Sequence, residues 1–459
     1  MPRKRPASSS ASSWRPRLFS SALRRASVGR CFESTDGSQA SGAPPLFHMD
    51  WDDNVNVLLY FIDGRGLTAG GPLSLSAAAT AIIPRDGALV GSRCGRWVFD
   101  ATGSGAWDWV SYDDDQSSAG PVLIAGGVLG FLDDSAEPWV ANFYDTPLDP
   151  LGIYDADASD IDGDDYGDIL VPVIDGATLQ GTLYVDRGPV EPFDRDDGFR
   201  DHSELSIATT GTEGSRVCSF GKVTSHSDLD GDGLLDIACS TPEVGVLASS
   251  DWEWGETFIF EDRALAWWTR PYATTRLESG GDLTGDGYDD LVMTDTTDLG
   301  AVWIVSGRSA GWTHGESLDT NVRIDGVLSW DEEETDFGYS VAFLDDFDGD
   351  GFGDLAVGAP NHQYEENTQS GRVYICDGGP SGTLAANASA ADCPFSYRGE
   401  VTSTETEPAW GSSLGTTLMP GGDLDGDGLS DLYMGAGSWT GSDDAHYAGK
   451  AYYVLGHAF

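Results

Sequence analysis

Basic residues are scarce in this chain. Lysines and arginines number 25 against 76 aspartates and glutamates, for a formal charge of −51 over 459 residues. Eight of the bases (Arg3, Lys4, Arg5, Arg15, Arg17, Arg24, Arg25, Arg30) fall in the first 30 residues, which hold no acid; 17 are left for the remainder. A body so acidic repels polyanions, which excludes nucleic acid and anionic membrane as its partners. Before residue 400 the only lysines are Lys4 and Lys222, so activation of a thiolate by a neighbouring lysine is not a basis for chemistry here. No run approaches the roughly 20 apolar residues that a spanning helix needs, and no membrane insertion is expected. The longest apolar stretch of the head, Leu18 to Leu23, is too short and polar for a secretory signal. Its Val28-Gly-Arg-Cys31 is spoiled as a lipoprotein box by Arg30. The seven histidines (48, 202, 226, 314, 362, 446, 457) form no HExxH and no zinc spacing.

What the chain has in abundance is aspartate at fixed spacing. Asp346-Phe-Asp348-Gly-Asp350-Gly-Phe-Gly-Asp354 places carboxylates at positions 1, 3, 5 and 9 of a nine-residue loop. Glycines at positions 4 and 6 allow a tight turn. So many carboxylates in one turn call for a cation, and Ca²⁺, a hard ion taking 6–8 oxygens in irregular geometry, suits them. A helical calcium hand would put a bidentate Glu at position 12; here that residue is Val357. The flanks Tyr339-Ser-Val-Ala-Phe-Leu and Leu355-Ala-Val-Gly-Ala-Pro are short, apolar and β-prone. The loop therefore reads as the tip of a β-hairpin.

The unit recurs, and repeats set the architecture. The other copies place Asp160, Asp162, Asp164 and Asp168; Asp228, Asp230, Asp232 and Asp236; Asp282, Thr284, Asp286 and Asp290; and Asp423, Asp425, Asp427 and Asp431 at the same positions. In the first of these Asp165 replaces the position-6 glycine, at an expected cost in affinity. Position 12 is never acidic (Val171, Cys239, Met293, Val357, Met434). A degenerate copy runs from Asp100 to Asp108, and Asp50 to Asn54 is a fragment of one. Starts at 100, 160, 228, 282, 346 and 423 give spacings of 60, 68, 54, 64 and 77 residues, suited to a four-stranded propeller blade. Apolar runs after each loop (181–185, 255–260, 300–305, 371–376, 449–454), with weaker ones at 127–132 and 57–62, read as third strands. Seven such strands predict seven blades. The last run ends the sequence, so a stretch within 44–56 is expected to supply the outer strand that closes the ring.

Phe337-Gly338, the Asp loop and Gly358-Ala359-Pro360 together resemble an FG-GAP repeat. That is the blade unit of integrin α-subunit propellers and of many bacterial secreted proteins. Phe220-Gly221, Trp410-Gly411 and Gly435-Ala436-Gly437 are similar to its halves. The resemblance covers residues 97–459 well and 46–96 poorly. It implies an all-β fold, a seven-bladed β-propeller with blades of four antiparallel strands over 46–459. Blades in 46–146 match poorly and those in 147–459 carry the calcium loops; a basic, Ser/Ala/Arg-rich disordered head spans 1–45.

The function this implies is an extracellular or cell-surface calcium-binding module for adhesion or recognition of a protein or glycan, acting as a monomer. Ca²⁺ would be a structural staple, with side-chain oxygens from positions 1, 3, 5 and 9 and a backbone carbonyl from position 7. The binding face would be the loop-rich side opposite the calcium hairpins. The rivals are a polysaccharide hydrolase or lyase on a propeller, and a purely structural surface module. Acids repeated around a ring read as structural rather than catalytic. Gly411-Ser-Ser413-Leu-Gly415 spells a nucleophile elbow but lies on a first strand, without the strand-to-helix turn that elbow needs. Six cysteines (31, 94, 218, 239, 376, 393) allow 15 pairings. Cys376 and Cys393, flanking one loop, are the pair favoured as a disulfide; the others are left between bridges and buried thiols.

Overall fold

The structure is a computed structural model. It describes residues 46–51, 57–62, 79–85, 96–101, 103, 107–113, 120–124, 140–142, 157–174, 181–190, 203–209, 222–240, 243–269, 276–318, 321–328, 334–364, 369–402, 410–423, 427–437 and 450–457. The head 1–45, with Cys31, lies outside the described residues, as do Cys94 and Cys218. The chain is nearly all β; Phe260–Arg263, one helical turn, is the α-helix among the described residues.

Sheets of three or more strands follow one another along the chain. The third is Asp157–Ser159, Asp168–Ile174, Gly181–Asp186 and Leu205–Ala208. The fourth is Lys222–Ser227, Asp236–Ser240, Val244–Leu247 and Ala266–Thr269. The fifth is Arg276–Ser279, Asp290–Asp295, Ala301–Ser306 and Val322–Asp325. The sixth is Val341–Leu344, Asp354–Ala359, Arg372–Cys376 and Phe395–Arg398. In each, successive strands pair antiparallel, for example Val341 with Val357 and Val357 with Tyr374. A seventh holds Leu414–Gly422, Asp431–Ala436 and Lys450–Val454. Two more precede these, at 46–85 and 96–142.

Side-chain alternation then stacks the sheets. In Ala301–Ser306, Val302 and Ile304 face Leu355 and Val357 of the sixth sheet, while Ala301, Trp303 and Val305 join Val244 and Trp268 of the fourth. Ala356, between Leu355 and Val357, turns to Leu418 and Met434 of the seventh. Second strands such as Asp290–Asp295 and Asp354–Ala359 are buried at every residue, because both of their faces are covered. First strands meet across small polar groups: Thr224 Oγ1 and Ser279 Oγ lie 2.9 Å apart, and Ser340 Oγ donates to the Gly415 carbonyl at 2.8 Å. Four-stranded antiparallel sheets packed face to face in chain order make a β-propeller.

Three expectations are corrected. The run at 255–260 is not the third strand of its sheet: that is Val244–Leu247, four residues buried throughout. Thr257–Ile259 instead lies parallel to Leu205–Ala208, as a fifth strand on the preceding sheet. His314–Ser317 and Ala388–Ser389 do the same for the fourth and fifth sheets, so each added strand straps one sheet to the sheet before it. The third strand of the second sheet is Gly120–Ile124 rather than the run 127–132, which lies outside the described residues; Val57–Ile62 is paired on both sides, as a third strand is. Leu46–Trp51 pairs along its whole length with Val57–Ile62, so its partner is its own neighbour rather than Lys450–Val454.

Candidate metal centres

Each Asp loop joins the first and second strands of its sheet, and its carboxylates organise its own backbone. Position 1 accepts from the amides ahead of it: Asp228 Oδ1 from Gly231 (2.7 Å) and Asp232 (3.0 Å), and Oδ2 from Gly233 (2.9 Å). Asp282, Asp346, Asp160 and Asp423 repeat this. Position 3 caps the amide of position 5, as Asp230 and Asp348 do (both 3.1 Å). Position 5 caps that of position 7, as Asp350 does for Phe352 (2.9 Å). The turn this demands has positive φ at position 4 (Gly231, Gly285 and Gly349, +75° to +84°) and position 6 (Gly233, Gly287 and Gly351, +93° to +98°), the region glycine enters without strain.

Position 9 is different in kind. Asp168, Asp236, Asp290, Asp354 and Asp431 are fully or almost fully buried. In four of them one oxygen accepts the amide of position 2: Ile161, Leu229, Leu283 and Phe347, at 2.8–2.9 Å. The other accepts an amide just past the third strand: Gly188, Ser249, Gly307 and Gly378, with Gly456 serving Asp431. This carboxylate thus ties loop, second strand and third strand together. Burial, first of all, pushes Asp236 up to about 8 and Asp290 and Asp354 to about 7, and Asp168 well above the usual range. Neighbouring loop aspartates add to the shift. Nearby positive charge would relieve both causes.

Two contacts not read from the sequence join one loop to the next. The position-2 carbonyl accepts an amide from the following sheet: Leu229 from Arg308 (2.7 Å), Leu283 from Gly379 (2.8 Å) and Phe347 from His457 (3.0 Å). The position-7 side chain covers the position-4 glycine of the preceding loop. A Cβ on Gly231 would lie 2.5 Å from the Tyr288 ring, and one on Gly285 2.6 Å from Pro380 and 3.1 Å from Phe352. The only signal in the sequence was the apolar residue at position 7 (Tyr166, Leu234, Tyr288, Phe352, Leu429).

Do these residues fit a divalent cation? Carboxylate oxygens of Asp228, Asp230 and Asp236 lie within 4.8 Å of one another, as do those of Asp346, Asp348 and Asp354. Ligands about 2.4 Å from a Ca²⁺ are at most about 4.8 Å apart, so both sets fit a common ion. In the loop from Asp282, Thr284 Oγ1 is buried with no hydrogen-bond partner. It stands at ligand position 3 between Asp282 and Asp286, and an ion would satisfy it. Asp232, Asp286 and Asp350 are exposed at the loop tips. Asp423, Asp427 and Asp431 are placed as in the other copies; Asp425 lies outside the described residues. The loop from Asp160 gathers Asp160, Asp162 and Asp164 within 4.8 Å but leaves Asp168 out of the group. The degenerate copy 100–108 also sits between two strands, Arg96–Phe99 and Trp107–Asp113, with Gly103 at φ +69°; residues 52–54 of the fragment at Asp50 lie outside the described residues.

Cys376 and Cys393 form a disulfide with Cα atoms 4.4 Å apart. Cys239, fully buried, is disulfide-bonded as well. Away from the loops, Asp157 and His226 are both fully buried between the third and fourth sheets, with Oδ1 2.9 Å from Nε2. Ser225 Oγ donates to the other Asp157 oxygen at 2.9 Å. Enclosed this way, the pair joins the two sheets. Ser413 is buried with φ +51° and lies between strands with no helix following.

The FG-GAP halves meet in the sixth sheet. Phe337 is fully buried, 5.5 Å from the Tyr374 ring. The Gly338 amide donates to the Gly358 carbonyl (3.0 Å), and the Gly358 amide to Ser340 (2.8 Å). The FG-GAP repeat family matches residues 337–376, this same segment. The chain carries an FG-GAP repeat. Among curated proteins it is similar to integrin alpha-5 of Xenopus laevis, 34% identical over 168 residues, 34% of this chain and 14% of that one. Phosphatidylinositol-glycan-specific phospholipase D of Bos taurus is 31% identical over 188 residues, 38% of this chain and 20% of that one. Integrin alpha-PS2 of Drosophila melanogaster is 31% identical over 224 residues, 46% and 14%. The match thus spans a fifth or less of the lengths of these relatives, which are named as integrins and as a phospholipase. Among solved structures, the WD40 domain of Toxoplasma gondii coronin aligns over 78% of this chain and 69% of that one, with TM-score 0.39 and 13% identity. The propeller rests on the sheet order above rather than on that likeness.

Proposed function

We propose that this FG-GAP chain is a calcium-binding, extracellular propeller module of seven blades that recognises a protein or glycan ligand, with Ca²⁺ as a structural staple. The ion would be held by Asp228, Asp230, Asp232 and Asp236; by Asp282, Thr284, Asp286 and Asp290; by Asp346, Asp348, Asp350 and Asp354; and by Asp423, Asp425, Asp427 and Asp431. The observation that carries the reading is the donor set: three carboxylates around one point in the loops from Asp228 and Asp346, as also in the loop from Asp160, and the unpartnered Thr284 Oγ1 in the loop from Asp282. Sites of this kind fill at extracellular calcium levels. We read the module as monomeric, without nucleic-acid or membrane partners, since its acidic surface repels both, and as a binding module rather than an enzyme. Recognition is assigned to the rim opposite the hairpin tips, where connections such as 360–371 vary between sheets.

Melting with millimolar Ca²⁺, with Mg²⁺ and with EDTA tests this. Ligand at 100 times its Kd adds about 2.7 kcal/mol per site, so a rise of many degrees specific to Ca²⁺ is expected. Equal melting in all three would remove the calcium. A glycan array and pull-down run in Ca²⁺ and in EDTA test recognition; binding that ignores the ion would detach it from the loops.

A further inference from the structure

One Asp loop already holds a cation, and it is an arginine. Arg187 Nη2 lies 2.6 Å from Asp162 Oδ2 and 3.0 Å from Asp164 Oδ2, and Nε donates to the same Asp162 oxygen at 2.7 Å. Trp254, on the connection that leaves the fourth sheet after Val244–Leu247, donates its indole Nε1 to that oxygen as well, at 2.8 Å, and its ring lies 5.4 Å from the Arg187 guanidinium carbon. Three donors from two residues, one just past the third sheet's third strand and one past the fourth sheet's, thus converge on one carboxylate oxygen at ligand position 3.

Arg187 is placed there by the fold. It precedes Gly188, whose amide binds Asp168. The residues that precede the corresponding amides of the other sheets are Ala248, Ser306, Asp377 and Leu455, none of them basic. Among the described residues, no arginine or lysine bonds the ligand-position carboxylates of the loops starting at Asp228, Asp282 and Asp346. The backbone differs too: Asp165 takes the position-6 turn at φ +75°, where those loops have glycine. The gathered oxygens omit Asp168, while the two other gathered sets include Asp236 and Asp354.

We infer that the Asp160–Asp168 loop is closed by the guanidinium of Arg187 in place of a metal ion, making it a calcium-independent staple between the third and fourth sheets. A planar cation with fixed N–H directions satisfies two carboxylates at once. A Ca²⁺ would have to displace it against like charge. The inference rests on the calcium reading of the other loops and assigns this copy the opposite state.

The test is calcium stoichiometry by equilibrium dialysis on the full chain, for wild type, Arg187→Ala, Asp162→Asn and Asp348→Asn. Arg187→Ala should bind about one ion more per chain than wild type, since an emptied carboxylate loop then resembles its neighbours. Asp162→Asn should leave the count unchanged and Asp348→Asn should lower it. Should Arg187→Ala fail to fold, the contrast between Asp162→Asn and Asp348→Asn decides alone. If Asp162→Asn loses an ion, or Arg187→Ala matches a calcium-loaded wild type, the inference is overturned while the calcium reading stands. A wild type that binds no calcium sinks both.

Discussion

The loops from Asp160 and from Asp346 have the same carboxylate spacing and close by different means. Around Asp346 the charges face one another with no base bonded to them among the described residues, and the residue following the third strand is a further acid, Asp377, which adds to the upward push on Asp348. Around Asp160 the same strand delivers Arg187 instead. Yet the buried position-9 carboxylate does the same work in both, binding the position-2 amide and an amide past the third strand. A loop of this kind has two separable parts. The inner Asp is a hydrogen-bonded tie from the loop to the second and third strands. The outer carboxylates are charge looking for a counter-charge, and the sheet can supply it from solvent or from itself.

The comparison is broken hardest by removing the inner group. Asp354→Ala and Asp168→Ala each strand two buried amides, which costs about 4 kcal/mol in either loop. Melting in EDTA should show similar losses. In Ca²⁺ the two should part: Asp354→Ala also forfeits the calcium response of its loop, whereas Asp168→Ala keeps the full response of the wild type. Equal calcium responses would erase the distinction between the loops.

A second perturbation asks whether the far end of the sixth sheet is independent of its loop. His362 is buried, and burial, with Arg372 and Arg398 nearby, lowers its imidazole to about 4. In the unfolded chain it titrates near 6.5. Because the folded form binds the proton less readily, its contribution is complete above pH 6.5 and is lost as pH falls toward 4, at most about 3 kcal/mol. Chemical denaturation of wild type and His362→Gln between pH 7 and pH 4 should converge as pH falls. The convergence should be the same with and without Ca²⁺; a calcium-dependent difference would couple the two ends.

Glycines sort crowding from backbone strain within one loop. Gly285 and Gly287 both have positive φ, but only Gly285 is pressed by its neighbours, Pro380 and Phe352. Gly287→Ala should cost the left-handed penalty alone, about 1–2 kcal/mol, and Gly285→Ala about 1–3 kcal/mol more from overpacking. Thermal melts of both variants give the difference directly. If the two are equal, the position-7 contact between adjacent loops is not tight.

The contrast between the loops also marks what a reader of the sequence could see. Positions 1, 3 and 5 bond amides two to five residues ahead, so their spacing alone announced the turn, and alternation in runs such as Ala301–Ser306 announced the strands. Arg187 lies 19 residues beyond Asp168 and reaches the loop only because the third strand runs back antiparallel to the second, which no local pattern encodes. Val244–Leu247 was hidden by its brevity. Thr257–Ile259 was conspicuous because it is apolar, but its partner is a strand of the previous sheet. Registers between neighbours in sequence were legible; pairings across sheets were not. Leu46–Trp51 was an exception: it was expected to reach across to the last sheet, and it pairs with its own neighbour Val57–Ile62.

The finest test restores the turn of the divergent loop. Asp165 occupies φ +75° with a side chain, where position 6 elsewhere is glycine. Asp165→Gly removes about 1–2 kcal/mol of left-handed strain, and the extra freedom of glycine in the unfolded chain takes back about 0.4–1 kcal/mol. The net gain should lie between about 0 and 1.6 kcal/mol and be equal in Ca²⁺ and EDTA, because the residue-165 amide still donates to Asp160 Oδ2 and Arg187 still fills the loop. A gain that appears only in Ca²⁺ would mean that the turn, rather than the guanidinium, had been keeping the ion out. A net loss would show instead that the Asp165 carboxylate makes a contact worth more than the strain, and that this loop has diverged from its siblings in its backbone as well as in its counter-charge.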